Sequence, residues 1–169
     1  MQCHLKSTDM SSLFIDTLFG TLLNMKKQNE IIQFKNIRNA FYVYCDIIER
    51  HGKGVGDFHY ASFYIGCVIL NAIACEIGLK ALLAYENNFS HGHDLYDLFG
   101  KLSSQTQKKI IQYTLYDVEH FKKALLECKN NFIKWRYYYE MSNLHVDYKF
   151  IIELFCAIKE NLDNIKPNR

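Results

Sequence analysis

Proline is almost missing from this 169-residue chain, and the single one present is Pro167. Nothing ahead of the tail interrupts backbone N–H donation, so no proline forces an early helix to stop or kink. Low-complexity tracts and long polar runs are missing too, and with 49% hydrophobic and 22% charged residues the chain falls outside the disordered class. The six cysteines, Cys3, Cys45, Cys67, Cys75, Cys128 and Cys156, contain no CxxC pair and no framework spacing. That argues against a disulfide-stapled scaffold and favours a reducing cytosol, with most of the thiols acting as small hydrophobes. An excess of one charge is also lacking: 20 Lys and Arg stand against 18 Asp and Glu, for a formal charge of +2. A domain that holds duplex DNA by charge alone is excluded, and any nucleic-acid contact has to come from a local patch. The opening MQCHLKSTDMSSLF has no basic region followed by a clean apolar core and a small-residue cleavage site, so no signal peptide is read.

What the chain has is helical periodicity, over a length that suits one domain, residues 1–169, and is short for two. Three-and-four spacing predicts helices at about 10–25, 33–50, 57–88, 94–102, 104–116, 117–140 and 147–164, with no run of strict alternation long enough for a strand. Loops are predicted at HGKGVG, His51 to Gly56, ahead of Asp57 as an N-cap, and at NNFSHGH, Asn87 to His93, ahead of Asp94 as another. The expected fold class is all-α, an up-and-down antiparallel helical bundle. Phe58 to Cys75 carries no Asp, Glu, Lys or Arg, but it continues into Glu76 and Lys80 and suits a central bundle helix better than a lipid span. No membrane partner is expected, and a cytoplasmic location is.

The strongest pattern is a seam of Val118, Phe121, Leu125, Cys128, Phe132, Trp135 and Tyr139. Lys122, Lys129 and Arg136 follow at intervals of seven along one flank of it, as snorkelling side chains at a core edge or as an anion-binding edge ending at Arg136. Glu76 and Lys80 lie one turn apart in the favourable order for a helical ion pair. His91-Gly92-His93-Asp94 lacks the second ligand cluster that a metal site needs, and HGKGVG lacks the spacing of a phosphate loop. Neither a metal nor a cofactor is expected.

Read together, NAIACEIGLKALLAYENNFSHGHDLYDLFGKL (Asn71 to Leu102) and FIKWRYYYE (Phe132 to Glu140) resemble the HEPN family of small helical proteins, many of them RNA-directed. The likeness runs from Phe41 to the C-terminal helix. It makes EIGLKALL the family's second core helix and the Gly-His-Asp-Leu turn a structural punctuation, with Glu76, Lys80, His93 and Asp94 in structural roles. It implies a homodimer in an RNA-directed defence, toxin–antitoxin or stress system, with RNA and a cognate partner or antitoxin as candidate partners. In RNA-cutting members an Arg holds the scissile phosphate and a His moves the proton, with the 2′-hydroxyl as nucleophile and no metal. Carried over, these roles fall to Arg136 and His145, with Lys122, Lys129, Tyr137 and Glu140 as binding residues.

This sequence departs from the family's pattern of Arg followed after four to six residues by His, because nine positions separate Arg136 from His145. On one unbroken helix that is half a turn out of phase and about 13 Å along the axis. A break near Ser142-Asn143 or a second subunit would be needed to bring the two together. The other role for Arg136 is a salt bridge to Glu140 one turn later. The competing functional class is a non-catalytic helical module that binds a partner protein or a nucleotide.

Overall fold

A computed structural model describes the backbone of residues 9–52, 60–130 and 147–165, and side chains within the narrower spans 23–50, 66–130 and 147–165. Among them there are six helices and no strand: α1 (Asp9–Gly52), α2 (Tyr60–Tyr85), α3 (Leu95–Gly100), α4 (Ser104–Gln112), α5 (Val118–Cys128) and α6 (Tyr148–Asp163). The all-α class is thereby met.

The largest departure from the sequence reading is α1, a single 44-residue helix where two helices, 10–25 and 33–50, were expected. The intervening KKQNEII is polar but contains neither Gly nor Pro. Lys, Gln and Glu are good helix formers, so polarity alone does not end a helix there. The C-terminal part of α1 supplies Phe41 and Cys45 to the core, whereas Leu23, Met25 and Ile32 nearer its middle are exposed.

Helix α2 is central and packs against both α1 and α6. Its window Gly66–Tyr85 is long and apolar enough to cross a membrane, yet 67% of it is buried inside this fold. Val68, Ala72, Cys75, Leu79 and Leu83 are each fully buried. The helix stops at Tyr85 because Asn87 turns left-handed, with φ 57°. The Asn87 N–H then reaches the Ala84 carbonyl at 3.1 Å and the Asn88 N–H the Leu83 carbonyl at 2.9 Å. This paired closure satisfies carbonyls the helix end would otherwise orphan, and Asn tolerates the conformation at little cost.

The short helices each begin on a side-chain cap: Asp94 for α3, Ser103 for α4 and Asp117 for α5, with Asp147 for α6. Glu86 also grips the start of α4, accepting from the Ser103 N–H at 2.8 Å and the Ser103 hydroxyl at 2.6 Å. A carboxylate at that position offsets the positive end of α4. A line of rings, Phe99 to Phe121 at 5.1 Å and Phe121 to Phe150 at 5.3 Å, joins α3, α5 and α6. Phe121, Leu125 and Cys128 of the expected seam are buried, but Val118, in the first turn of α5, is 56% exposed and lies outside the core. Phe132, Trp135 and Tyr139 lie outside the described residues.

The end of α6 is tied to α1 by charge. Asp163 accepts from the Tyr42 hydroxyl and, at 2.9 Å, from Lys159 Nζ, while Arg38 Nη2 donates to the Leu162 carbonyl at 3.0 Å. Burial pushes the Asp163 carboxyl up, but the Tyr42 and Lys159 hydrogen bonds and nearby positive charge hold it below its ordinary value of 3.8. A folded value beneath the unfolded one stabilises the fold fully above the ordinary value and is lost as pH falls through the folded one. The melting-temperature gap between the protein and Asp163→Asn is therefore expected to be constant near neutrality and to narrow below pH 3.8. A gap that widens on acidification would contradict this.

Candidate functional site

An ionised side chain in an otherwise apolar helix needs a partner, because an unpaired buried charge is costly. Glu76, 6% exposed in α2, has two. Its Oε1 accepts from Lys80 Nζ at 2.7 Å and faces His93 Nδ1 at 2.9 Å. Lys80 comes from the next turn of the same helix. His93 comes from seventeen residues on, where left-handed Asn87 and Gly92, with φ 115°, fold the chain back onto α2. A carboxylate only accepts, so the ring nitrogen facing it is Nδ1–H, and in the neutral imidazole the lone pair then sits on Nε2. The Glu76 side chain is 9% exposed and the His93 side chain 56%, so a buried acid orients a more exposed imidazole.

Asp94 follows directly. Its Oδ1 accepts from the Tyr96 and Asp97 N–H groups at 2.9 and 3.0 Å as the cap of α3, and its Oδ2 lies 3.9 Å from Lys129 Nζ. The Leu95 N–H donates to the Lys129 carbonyl at 2.9 Å, so the C-terminal end of α5 is fastened to the start of α3. The fold thus gathers Glu76, Lys80, His93, Asp94 and Lys129, residues expected to be structural or to edge a core, into one polar corner. Lys122 is exposed two turns back along α5. Arg136, Tyr137, Glu140 and His145 lie in residues 131–146, outside those described. The chain enters that stretch just after Lys129 and leaves it at Asp147, whose Oδ2 accepts from the Tyr116 hydroxyl at 3.0 Å.

The ion pair of Glu76 with Lys80 is present, and Glu76 is buried and faces a second partner, His93. The available signal was the solitary acid in an apolar helix; nothing local pointed to His93 as its second partner. Among the described residues no group of three His, Cys, Asp or Glu side chains is placed to hold a metal ion. The arrangement offers an imidazole oriented on the same carboxylate oxygen as the Lys80 ammonium, a set able to move a proton next to an anion. No known family model, curated protein or solved structure matches this chain.

Proposed function

We propose that this protein is a HEPN-like helical bundle, acting as a cytoplasmic homodimer in an RNA-directed defence, toxin–antitoxin or stress system. Its proposed activity is metal-independent endoribonuclease cleavage at a site shared across the dimer. The observation that carries this reading is the buried Glu76 orienting His93 at 2.9 Å, next to the point where the chain runs on toward Arg136. The Arg–His spacing that separates Arg136 from His145 on one helix leaves the proton-transfer role open, and His93 suits it. In this scheme His93 Nε2 accepts the proton of a ribose 2′-hydroxyl as that oxygen attacks the adjacent phosphorus. The bond to the 5′-oxygen breaks, that oxygen takes a proton from water, a 2′,3′-cyclic phosphate remains on the upstream fragment, and His93 returns its proton to the hydroxide so formed. In this scheme Arg136, Lys80 and Lys129 would offset the phosphorane charge.

A second reading has its own support. Glu76 is satisfied by Lys80 and His93 without any ligand, which is what a clamp holding the turn against α2 in a non-catalytic interaction module requires. The two readings separate on incubating purified protein with total RNA in excess chelator and mapping new 2′,3′-cyclic phosphate ends. Their appearance in proportion to folded protein is expected; their absence at micromolar protein across the neutral pH range would leave the clamp. Light scattering is expected to return twice the chain mass, and a monomer would remove the shared site.

A further inference from the structure

The middle of α1, from Leu23 to Arg38, and the end of α2 enclose a cleft of about 540 Å³, within the range of small-ligand sites. Its lining holds four cationic side chains, Lys26, Lys27, Lys35 and Arg38, against one carboxylate, Glu30. That local excess is larger than the +2 of the whole chain. Between the cations stand two rings, Phe34 and Tyr85, with centroids 5.5 Å apart and planes inclined at 49°. Tyr85 is 47% exposed, unusual for a large ring at the end of a core helix.

Arg38 makes the inner wall rigid. Its guanidinium lies 6.0 Å from the Phe34 ring centroid and 5.5 Å from that of Tyr42, and its Nη2 is fixed on the Leu162 carbonyl. Its Nε–H is buried and has no hydrogen-bond partner among the described residues. A buried donor without an acceptor is costly, and because this N–H is closed off from solvent Arg38 acts on the cleft through its charge. Lys27, Phe34 and Arg38 recur at helical spacing, and Lys27 and Arg38 stand about 16 Å apart along one face of α1. Cations that track a phosphate chain, interleaved with rings that accept a base face, are what single-stranded nucleic acid needs. A second copy of this chain seated two-fold on the same face would set lysine against lysine.

We propose that this cleft binds a nucleotide unit, its base against Tyr85 and Phe34 and its phosphate on Lys27, Lys35 and Arg38. The choice of an RNA strand as its source rests on the function proposed above; the cleft's chemistry does not. The test is fluorescence anisotropy with a labelled single-stranded RNA oligomer and, separately, a labelled free nucleotide. His93→Gln protein and RNA with 2′-deoxy or 2′-O-methyl riboses are used so that cleavage through the 2′-hydroxyl does not intervene. Saturable binding is expected, weakened about tenfold or more by Tyr85→Leu, from loss of stacking. Lys27→Glu with Lys35→Glu should also weaken it and flatten the log–log salt slope by about 1.4. Lys108→Glu with Lys109→Glu on α4 should leave it unchanged. RNA binding without free-nucleotide binding identifies a strand as the ligand, and saturable binding of the free nucleotide identifies a mononucleotide. Binding that ignores Tyr85→Leu and is competed equally by a polyglutamate peptide would overturn the proposal, as would no binding of either probe. Because the assay reads no cleavage, loss of the nuclease reading and loss of this site are told apart.

Discussion

His93→Gln is expected to lower RNA cleavage by about 10²–10⁴-fold, the usual loss on removing a general base, while moving the melting temperature by only a few degrees. Stability should hold because more than half of the His93 side chain is in solvent, and Lys80 still neutralises Glu76 when the imidazole is gone. Glu76→Gln should divide differently. An amide can donate to Nδ1 as well as accept from it, so the ring is no longer held in one tautomer and the rate should fall with the His still present. The exchange also leaves Lys80 facing a neutral group in a partly buried place, so some stability goes with it. The decisive measurement is rescue: His93→Ala in buffered imidazole should regain part of the lost rate, because the site opens to solvent. If His93→Gln cuts RNA at the parental rate, His93 is the clamp and not the base.

The two parts of this corner were unequally legible. Asp94 could be read as a cap from Asp followed by an apolar run, because capping is settled within three or four residues. Asp94 does accept from two N–H groups of α3. The Glu76–His93 contact could not be read, because it depends on two left-handed residues whose combined turn no local pattern encodes. The seam of α5 shows the same division: Phe121, Leu125 and Cys128 fall where period predicts, while Val118 in the first turn lies beyond the reach of the neighbouring helices. The cleft was hidden for a different reason. Placing a break at residues 26–32 cut Lys26, Lys27 and Glu30 away from Phe34 and Arg38, which share a face only when α1 is continuous. No Gly, Pro or cap stands at residues 26–32 to end a helix there.

Gly78→Ala is expected to lower stability by about 1–3 kcal/mol, the typical cost of overpacking a core. Helix propensity alone points the other way, since Ala is favoured over Gly by about 1 kcal/mol in a helix interior. Space decides the sign. A Cβ at Gly78 would lie 2.4 Å from Ile158 Cγ2 and 2.9 Å from Phe41 Cε2, closer than carbon atoms approach. Neither neighbour can give cheaply. Ile158 is β-branched on α6 and largely held to one χ1 rotamer, and the Phe41 ring on α1 is fully buried. The methyl would therefore push into the point where α1 and α6 close together on one face of α2, the helix on which both the Glu76 corner and the cleft are built. For a chain of this size each kcal/mol should appear as about 2–4 °C in Tm. Ile158→Ala alone should cost about 2–5 kcal/mol by leaving a cavity. Combined with Gly78→Ala it should cost less than the sum of the two single changes, because the new methyl occupies part of the space the Ile side chain vacates. Additive losses in that double variant, or a Gly78→Ala protein as stable as its parent, would mean that the three helices do not meet at Gly78 as closely as described.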